Sequence, residues 1–228
     1  MITMKRITVL LAEDHPIVRV GFRTLLKHER DIEVVGEAAT GREAVQLTRK
    51  LRPAVVVMDI AMPLLNGLEA TRQIRRDFPD TSVIILSAHS DDAYVEQAVR
   101  LGAAGFLLKQ TSSDNLGTAI REVHKGNTFF SPPISKRVCG RSQKPAGRAG
   151  NFTKKYNRLS SREVEVLQLI AEGKPNKQVA AELGVSFKTV DKHRQHLMSK
   201  LDIHDVAGLT RYAISAGIIE SSVQVTIL

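Results

Sequence analysis

The carboxylates of Glu13, Asp14 and Asp59, the hydroxyl of Ser87 and the ammonium of Lys109 are the groups in the first half of this sequence best suited to chemistry. Each ends or directly follows a short apolar run: 7–12 before Glu13, 54–59 ending on Asp59, 82–88 around Ser87 and 105–108 before Lys109. If these runs are adjacent parallel strands, the three carboxylates share one small pocket at the strand ends. Like charges at that range repel strongly, so the cluster calls for a cation. Oxygen-only ligands favour Mg²⁺, which keeps several waters and accepts a phosphoryl oxygen as a further ligand. An aspartate neutralised in this way, beside a lysine and a hydroxyl, suits uptake of a phosphoryl group. Asp59 would attack phosphorus, Mg²⁺ and Lys109 would offset charge on the equatorial oxygens, and Ser87 would donate a hydrogen bond to one of them.

Such a rim requires a parallel sheet. From 7 to 125 five β-branched runs, the four above and 32–37, alternate with helix-period segments, the pattern of a sheet covered by helices on both faces. The first helix has Pro16 in its opening turn and apolar residues Ile17/Val18, Phe22 and Leu25/Leu26, read as one buried stripe; the others span about 41–51, 67–77, 91–101 and 113–125. Five βα units predict an α/β doubly wound domain of flavodoxin-like order 2-1-3-4-5, whose ligand site lies outside the carboxyl ends of its strands. Residues 131–158 are rich in Pro, Gly, Ser, Lys and Arg and lose all hydrophobic periodicity, which reads as a flexible linker. After it, 159–217 predicts a small all-α domain of four helices at about 160–171, 175–182, 186–201 and 205–215, with 218–228 left as a tail.

The 228 residues leave room for two cores, and 43% hydrophobic with 25% charged residues is ordinary for a globular chain. The net charge of +9 is unevenly placed. Residues 1–135 carry 17 bases and 16 acids, 136–158 carry eight bases and no acid, and 159–228 carry eight of each. The basic excess is a linker feature. A single cysteine, Cys139, excludes an intrachain disulfide and fits a reducing compartment. The apolar run near the N-terminus is too short for a signal-peptide core or a membrane span, so a cytoplasmic protein with no membrane partner is expected.

The motifs Glu13-Asp14-His15-Pro16, Asp59-Ile60-Ala61-Met62-Pro63, Ser87-Ala88 and Gly105-Phe106-Leu107-Leu108-Lys109 resemble the receiver domain of two-component response regulators, over residues 5–125. The resemblance implies phosphorylation of Asp59 by a histidine kinase. It also implies Mg²⁺ bound by Glu13, Asp14, Asp59 and the Ala61 carbonyl, and a switch couple formed by Ser87 and Phe106. Two positions depart from the commoner pattern, Phe106 for tyrosine and Asn66 for aspartate, and neither touches the phosphoacceptor chemistry. A nucleotide enzyme is disfavoured, because no G-x-x-x-x-G-K-[ST] loop and no G-x-G-x-x-G occurs. A phosphohydrolase would resemble its relatives in placing an acid two residues after the nucleophile, where this chain has Ala61. No catalytic residue is assigned beyond phosphoryl acceptance and slow self-dephosphorylation, so the chain is not read as an enzyme.

In the second domain, residues 180–190 read as helix, glycine-containing turn, helix, the arrangement that lays a second helix in a major groove. Along that helix Val190, Leu197 and Leu201 form a buried stripe, with Lys188, Lys192, Gln195 and Ser199 in an outward row. The segments 159–167, 176–180, 186–193 and 197–201 resemble the LuxR-type DNA-binding domain, and the two halves together resemble NarL/FixJ-type response regulators. By position, the resemblance implies groove reading by Lys188, Thr189 and Lys192, phosphate contacts from Lys177, His193 and Lys200, and a dimer contact through the last helix. The absence of Trp and a total of ten Phe and Tyr disfavour single-strand and RNA binding, which use aromatic stacking. The sequence therefore predicts a receiver over 1–130 joined to a helix-turn-helix domain, working as a phosphorylation-controlled transcription factor. Its partners would be a histidine kinase, double-stranded DNA, a second copy of the chain and RNA polymerase. The alternative is a constitutive DNA-binding regulator whose receiver serves only in dimerisation.

Overall fold

The computed structural model describes residues 6–88, 92–131, 134 and 159–219. Cys139 and nearly all of the expected linker, together with 220–228, lie outside the described residues. The chain divides into two compact units, Met1–Gly147 and Arg148–Leu228.

The first unit alternates β1 (Ile7–Ala12), α1 (Pro16–Lys27), β2 (Ile32–Ala38), α2 (Gly41–Leu51), β3 (Val55–Asp59), α3 (Gly67–Asp77), β4 (Ser82–Ser87), α4 (Asp92–Arg100), β5 (Gly105–Leu108) and α5 (Ser112–His124), then β6 (Phe129–Phe130). A single 3₁₀ turn, Lys109–Thr111, joins β5 to α5. All strands are parallel and run β2-β1-β3-β4-β5-β6. The order 2-1-3-4-5 is as the sequence predicts, with one strand added. β6 escapes a periodicity reading because it has two residues; Phe129 and Phe130 pair with Gly105 and Phe106, and a Cβ on Gly105 would lie 3.0 Å from the Phe129 carbonyl. The central strands read as continuous apolar runs because both faces are covered: Val56, Met58 and Ile85 belong to one core, Val55, Val57 and Ile84 to the other.

Two expectations need correction. Ile17 and Leu25 are 87% and 40% exposed, so α1 packs through Phe22 and Leu26 with Val18 half-buried. Leu25 lies about 20° outside the arc of Val18, Phe22 and Leu26 that faces the sheet, and Ile17 about 100° outside it. The expected linker also begins too early. The Ser131 N–H donates to the Phe106 carbonyl, and Ile134 is 1% exposed in the core that contains Phe106, so the first unit holds the chain at least that far.

The second unit has α6 (Ser161–Ala171), α7 (Asn176–Leu183), α8 (Phe187–Leu201) and α9 (Val206–Ser215). Its ends are set by local chemistry. Ser160 and Glu163 form a capping box, Ser186 and Asp205 cap α8 and α9, and Gly184 closes α7 in the left-handed region at φ 61°. The expected tail starts too early as well, since Ile218 is 1% exposed. No helix among the described residues is long and apolar enough to cross a membrane.

Candidate functional site

Strand register builds the first site. Ala12 faces Met58, so the next residues on each strand, Glu13 and Asp59, sit side by side. Asp59 faces Leu86 and Ser87 faces Leu108, which carries Ser87 and then Lys109 along the same rim. Glu13, Asp59 and Ser87 are each 2% exposed. Lys109 Nζ lies 2.9 Å from Glu13 Oε2 and 2.9 Å from Asp59 Oδ2, so one ammonium bridges two buried carboxylates. Ala61 is half-buried in the loop from β3 to α3.

The electrostatics follow from that crowding. Burial first, then the neighbouring Glu13, pushes the Asp59 carboxyl up to about 7 against the pull of Lys109. Burial works against the Lys109 charge too, yet the carboxylates of Asp59 and Glu13 outweigh it and hold the ammonium above its ordinary value. Three carboxylates and one lysine leave the rim short of positive charge. The donors are hard oxygens, and ligand atoms of Glu13, Asp14, His15 and Asp59 all fall within 4.8 Å of one another. The residues therefore fit a hard divalent cation.

Sequence reasoning missed three contributors here. His15 Nδ1 lies 2.8 Å from Asp14 Oδ1, which raises the imidazole above its ordinary value, with burial opposing and Glu13 adding. Arg19 donates to the Glu13 carbonyl from one turn into α1. Gly67 opens α3 where a Cβ would lie 1.8 Å from the Asp59 carbonyl oxygen, so the helix start can approach the strand end only as glycine. The signal was present in Asn66-Gly67, since Asn66 caps α3 by accepting the Glu69 N–H. The switch expectation changes in one respect. As the switch partner of Ser87, Phe106 does not start from an exposed position: the ring is 0% exposed, packed with Val95, Ala98 and Ile134 in one core.

The second site is the exposed side of α8. Lys188, Lys192, Gln195 and Ser199 are exposed as predicted, while Val190, Leu197 and Leu201 are buried. Lys177 is exposed on α7 and His193 half-buried on α8. Thr189 is half-buried, its hydroxyl 2.9 Å from Ser186 Oγ and its N–H donated to the same atom, so its polar groups serve the helix cap. Lys200 differs most from expectation, because Nζ is 2.7 Å from the buried Glu163 carboxylate. On the outward row Asp191 accepts from Gln195 Nε2 at 3.0 Å, and Phe187 opens the helix 56% exposed. Arg194 reaches Asn176 Oδ1 at 3.3 Å and ties α8 to the start of α7. On α9, Val206 and Ile214 are 44% and 37% exposed, with Thr210 between them at helical spacing.

Comparison with known proteins covers both sites. Residues 9–121 match the family model described as response regulator receiver domain, and 157–213 the one described as bacterial regulatory proteins, luxR family. The chain is 37% identical over 214 residues to the oxygen regulatory protein NreC of Staphylococcus carnosus (strain TM300), covering 93% of this chain and 99% of that protein. It resembles the structure of the two-component response regulator RcsB–DNA complex, at 30% identity and a TM-score of 0.55 over 92% of this chain and 99% of that one. It also resembles the isolated REC domain of RcsB from Salmonella enterica serovar Typhimurium in the presence of the phosphomimetic BeF₃⁻, at 30% identity and a TM-score of 0.54 over 58% of this chain and 98% of that one.

Proposed function

The chain belongs to the LuxR-type two-component response regulators, phosphorylation-regulated transcription factors, and on that premise we propose that Asp59 is the phosphoacceptor and α8 the element that reads DNA. The observation that carries the first part is the Lys109 bridge between Glu13 and Asp59, 2.9 Å to each. It aims one carboxylate and one cation at the same point of the rim. An Asp59 oxygen attacks phosphorus, the phosphorus–nitrogen bond of a phosphohistidine donor breaks, and the electron pair leaves with the imidazole nitrogen. Lys109 stays with the new phosphoryl oxygens, and Ser87, at the next strand end, donates to one of them. Glu13, Asp14, Asp59 and the Ala61 carbonyl are the ligands for Mg²⁺, which when bound offsets charge on the carboxylates and the phosphoryl oxygens alike. Ala61 stands two residues after Asp59, where a phosphohydrolase places an acid, and the turnover of the site is slow self-dephosphorylation.

The phosphoryl group carries about −1.5 to −2 charge where the carboxylate carried at most one, so phosphorylation adds roughly one negative charge beside Ser87 and Lys109. Phe106 is two residues upstream of Leu108, the register partner of Ser87, and its carbonyl holds Ser131. A shift at Ser87 therefore reaches the buried ring and, through it, the chain leaving the first unit. The output is dimer formation through the Val206, Thr210 and Ile214 face of α9, placing two copies of α8 on half-sites about one helical turn apart. Lys188 and Lys192 reach the groove, while Lys177 and His193 meet phosphates. The RcsB–DNA complex and the BeF₃⁻ form of the RcsB REC domain support this reading by likeness. The histidine kinase as donor, RNA polymerase as partner and a cytoplasmic location complete it.

The test uses Mg²⁺ and an acyl phosphate as a small phosphoryl donor, with intact mass and duplex binding followed together. Wild type is expected to gain one phosphoryl group and bind duplex DNA more tightly, and Asp59→Asn to do neither. A phosphorylated Asp59→Asn chain would refute the assignment. Equal DNA binding by Asp59→Asn and phosphorylated wild type would instead favour a receiver that serves only in dimerisation.

A further inference from the structure

We propose that Glu163 and Lys200 are a positioning pair for the recognition helix, and that Lys200 acts by holding α8 in place rather than by binding DNA phosphate. The inference deepens the DNA-binding reading and rests on it. Glu163 is an ionisable side chain only 4% exposed, a placement that calls for charged and hydrogen-bonding partners on its carboxylate. Its Oε2 accepts the Ser160 N–H at 2.8 Å, and the Ser160 hydroxyl accepts the Glu163 N–H at 3.3 Å, which completes the capping box of α6. The same oxygen receives Lys200 Nζ at 2.7 Å. Burial pushes the carboxyl up, but the Lys200 and Ser160 hydrogen bonds outweigh it and hold Glu163 below the usual carboxylate range. One carboxylate thus closes the start of α6 and clamps the last turn of α8.

The location of Lys200 agrees with a clamp. It lies 12 residues beyond Lys188, about 18 Å along the axis from the end of the helix that meets base edges. It also sits about 100° round the helix from Ser199, hence off the outward row. The contacts that otherwise seat α8 are apolar: Val190, Leu197 and Leu201 are buried but give no directional restraint against rotation or sliding. Among the described residues, directional restraints on α8 include Arg194 on Asn176 near the middle of the helix and Lys200 on Glu163 at its end. Two restraints at different heights fix both the rotation of the helix and its axial position, and with them the direction of Lys188 and Lys192.

The experiment uses the full chain and two duplexes of equal length, one selected from a randomised pool by the wild-type protein and one of arbitrary sequence. Lys200→Gln, Lys200→Arg, Glu163→Gln and the Glu163→Gln/Lys200→Gln double variant are compared, each melted first to establish that it is folded at the assay temperature. A positioning pair predicts that Lys200→Gln and Glu163→Gln each weaken binding to the selected duplex by about 10-fold and change the arbitrary duplex less than twofold. It further predicts that the double variant is no worse than either single one, that Lys200→Arg recovers most of the loss, and that the salt dependence keeps its slope. A phosphate contact predicts the opposite: uniform weakening on both duplexes, a slope reduced by about one, and no effect of Glu163→Gln. That result overturns the proposal, as does unchanged selected-duplex affinity in both single variants. If Glu163→Gln melts below the assay temperature, Lys200→Gln decides alone, because it leaves the capping box intact. A wild-type chain that selects no duplex overturns the DNA-binding reading and this inference with it.

Discussion

Asp59 sits where its charge is hardest to hold, 2% exposed beside Glu13, with Lys109 the one cation paired to it among the described residues. Its carboxyl is pushed up to about 7 from an ordinary 3.8, burial being the main cause. For a carboxyl raised in the folded state, the stability it contributes is complete below the unfolded value of about 4 and is lost as pH rises through about 7. Above that window the penalty reaches on the order of 4 kcal/mol, with the pull of Lys109 already counted in the shift. Asp59→Asn is accordingly expected to melt several degrees higher than wild type at pH 8 in chelator and to lose that advantage as pH falls to about 4; equal melting curves at pH 8 would show that the carboxylate is not strained. Mg²⁺ should stabilise wild type at pH 8 and Asp59→Asn much less, measured in the same melts. Gly67 is the backbone counterpart. With a Cβ predicted 1.8 Å from the Asp59 carbonyl, Gly67→Ala must part α3 from β3, and a loss of about 3 kcal/mol with reduced phosphoryl uptake is expected from denaturant titration and intact mass. The acids, Ser87 and Lys109 were legible because each ends a strand. Gly67 and the capping role of Thr189 were not, because close approach and hydrogen-bond partners are properties of the folded chain.

Elements were easier to read than their surroundings. Among the described residues, the five longer strands and the helices fall within a residue or two of where hydrophobic period puts them, and Thr40, Asn66, Ser160, Ser186 and Asp205 each accept an N-terminal cap bond that fixes a helix start. Periodicity failed where an apolar residue does not face its own element's core. Ile17 is apolar and follows β1 closely yet turns away from the Val18, Phe22 and Leu26 face of α1 and is 87% exposed, while Ile134 stands in a segment without periodicity and is 1% exposed. A seat for Ile134 exists because β6 adds to the sheet and Ser131 donates to Phe106, long-range facts with no local signature. The two isoleucines make a paired prediction opposite to the sequence reading. Ile134→Ala should cost about 2–4 kcal/mol in denaturant unfolding, and Ile17→Ser less than about 0.5 kcal/mol. Comparable costs for the two would mean that the segment after β6 is not seated on the receiver core.

For the molecule as a whole, the charge distribution ties the two activities together. The helix-turn-helix half is neutral, eight bases against eight acids, and three of its bases, Arg162, Arg194 and Lys200, are engaged by Glu165, Asn176 and Glu163, which leaves at most five for phosphates. Phosphorylation control needs only a modest bias, since a 100-fold shift in active population corresponds to about 2.7 kcal/mol. A DNA-binding half that is neutral on its own makes such a bias effective, because weak attachment leaves occupancy to depend on dimer formation. The eight linker bases at 136–158 bear on the same balance, either as added phosphate contacts or as a self-repelling tether. Each phosphate contact contributes about 0.9 to the slope of log affinity against log salt. Replacing Lys136, Arg137, Arg141, Lys144 and Arg148 by Gln is therefore expected to flatten that slope by several units if the linker touches DNA, with the affinity loss largest at low salt and shared by selected and arbitrary duplexes. A slope that stays at the wild-type value, with dimer formation and phosphoryl uptake intact, would assign the linker to the tether role and leave Lys177, Lys188, Lys192 and His193 as the full electrostatic footprint.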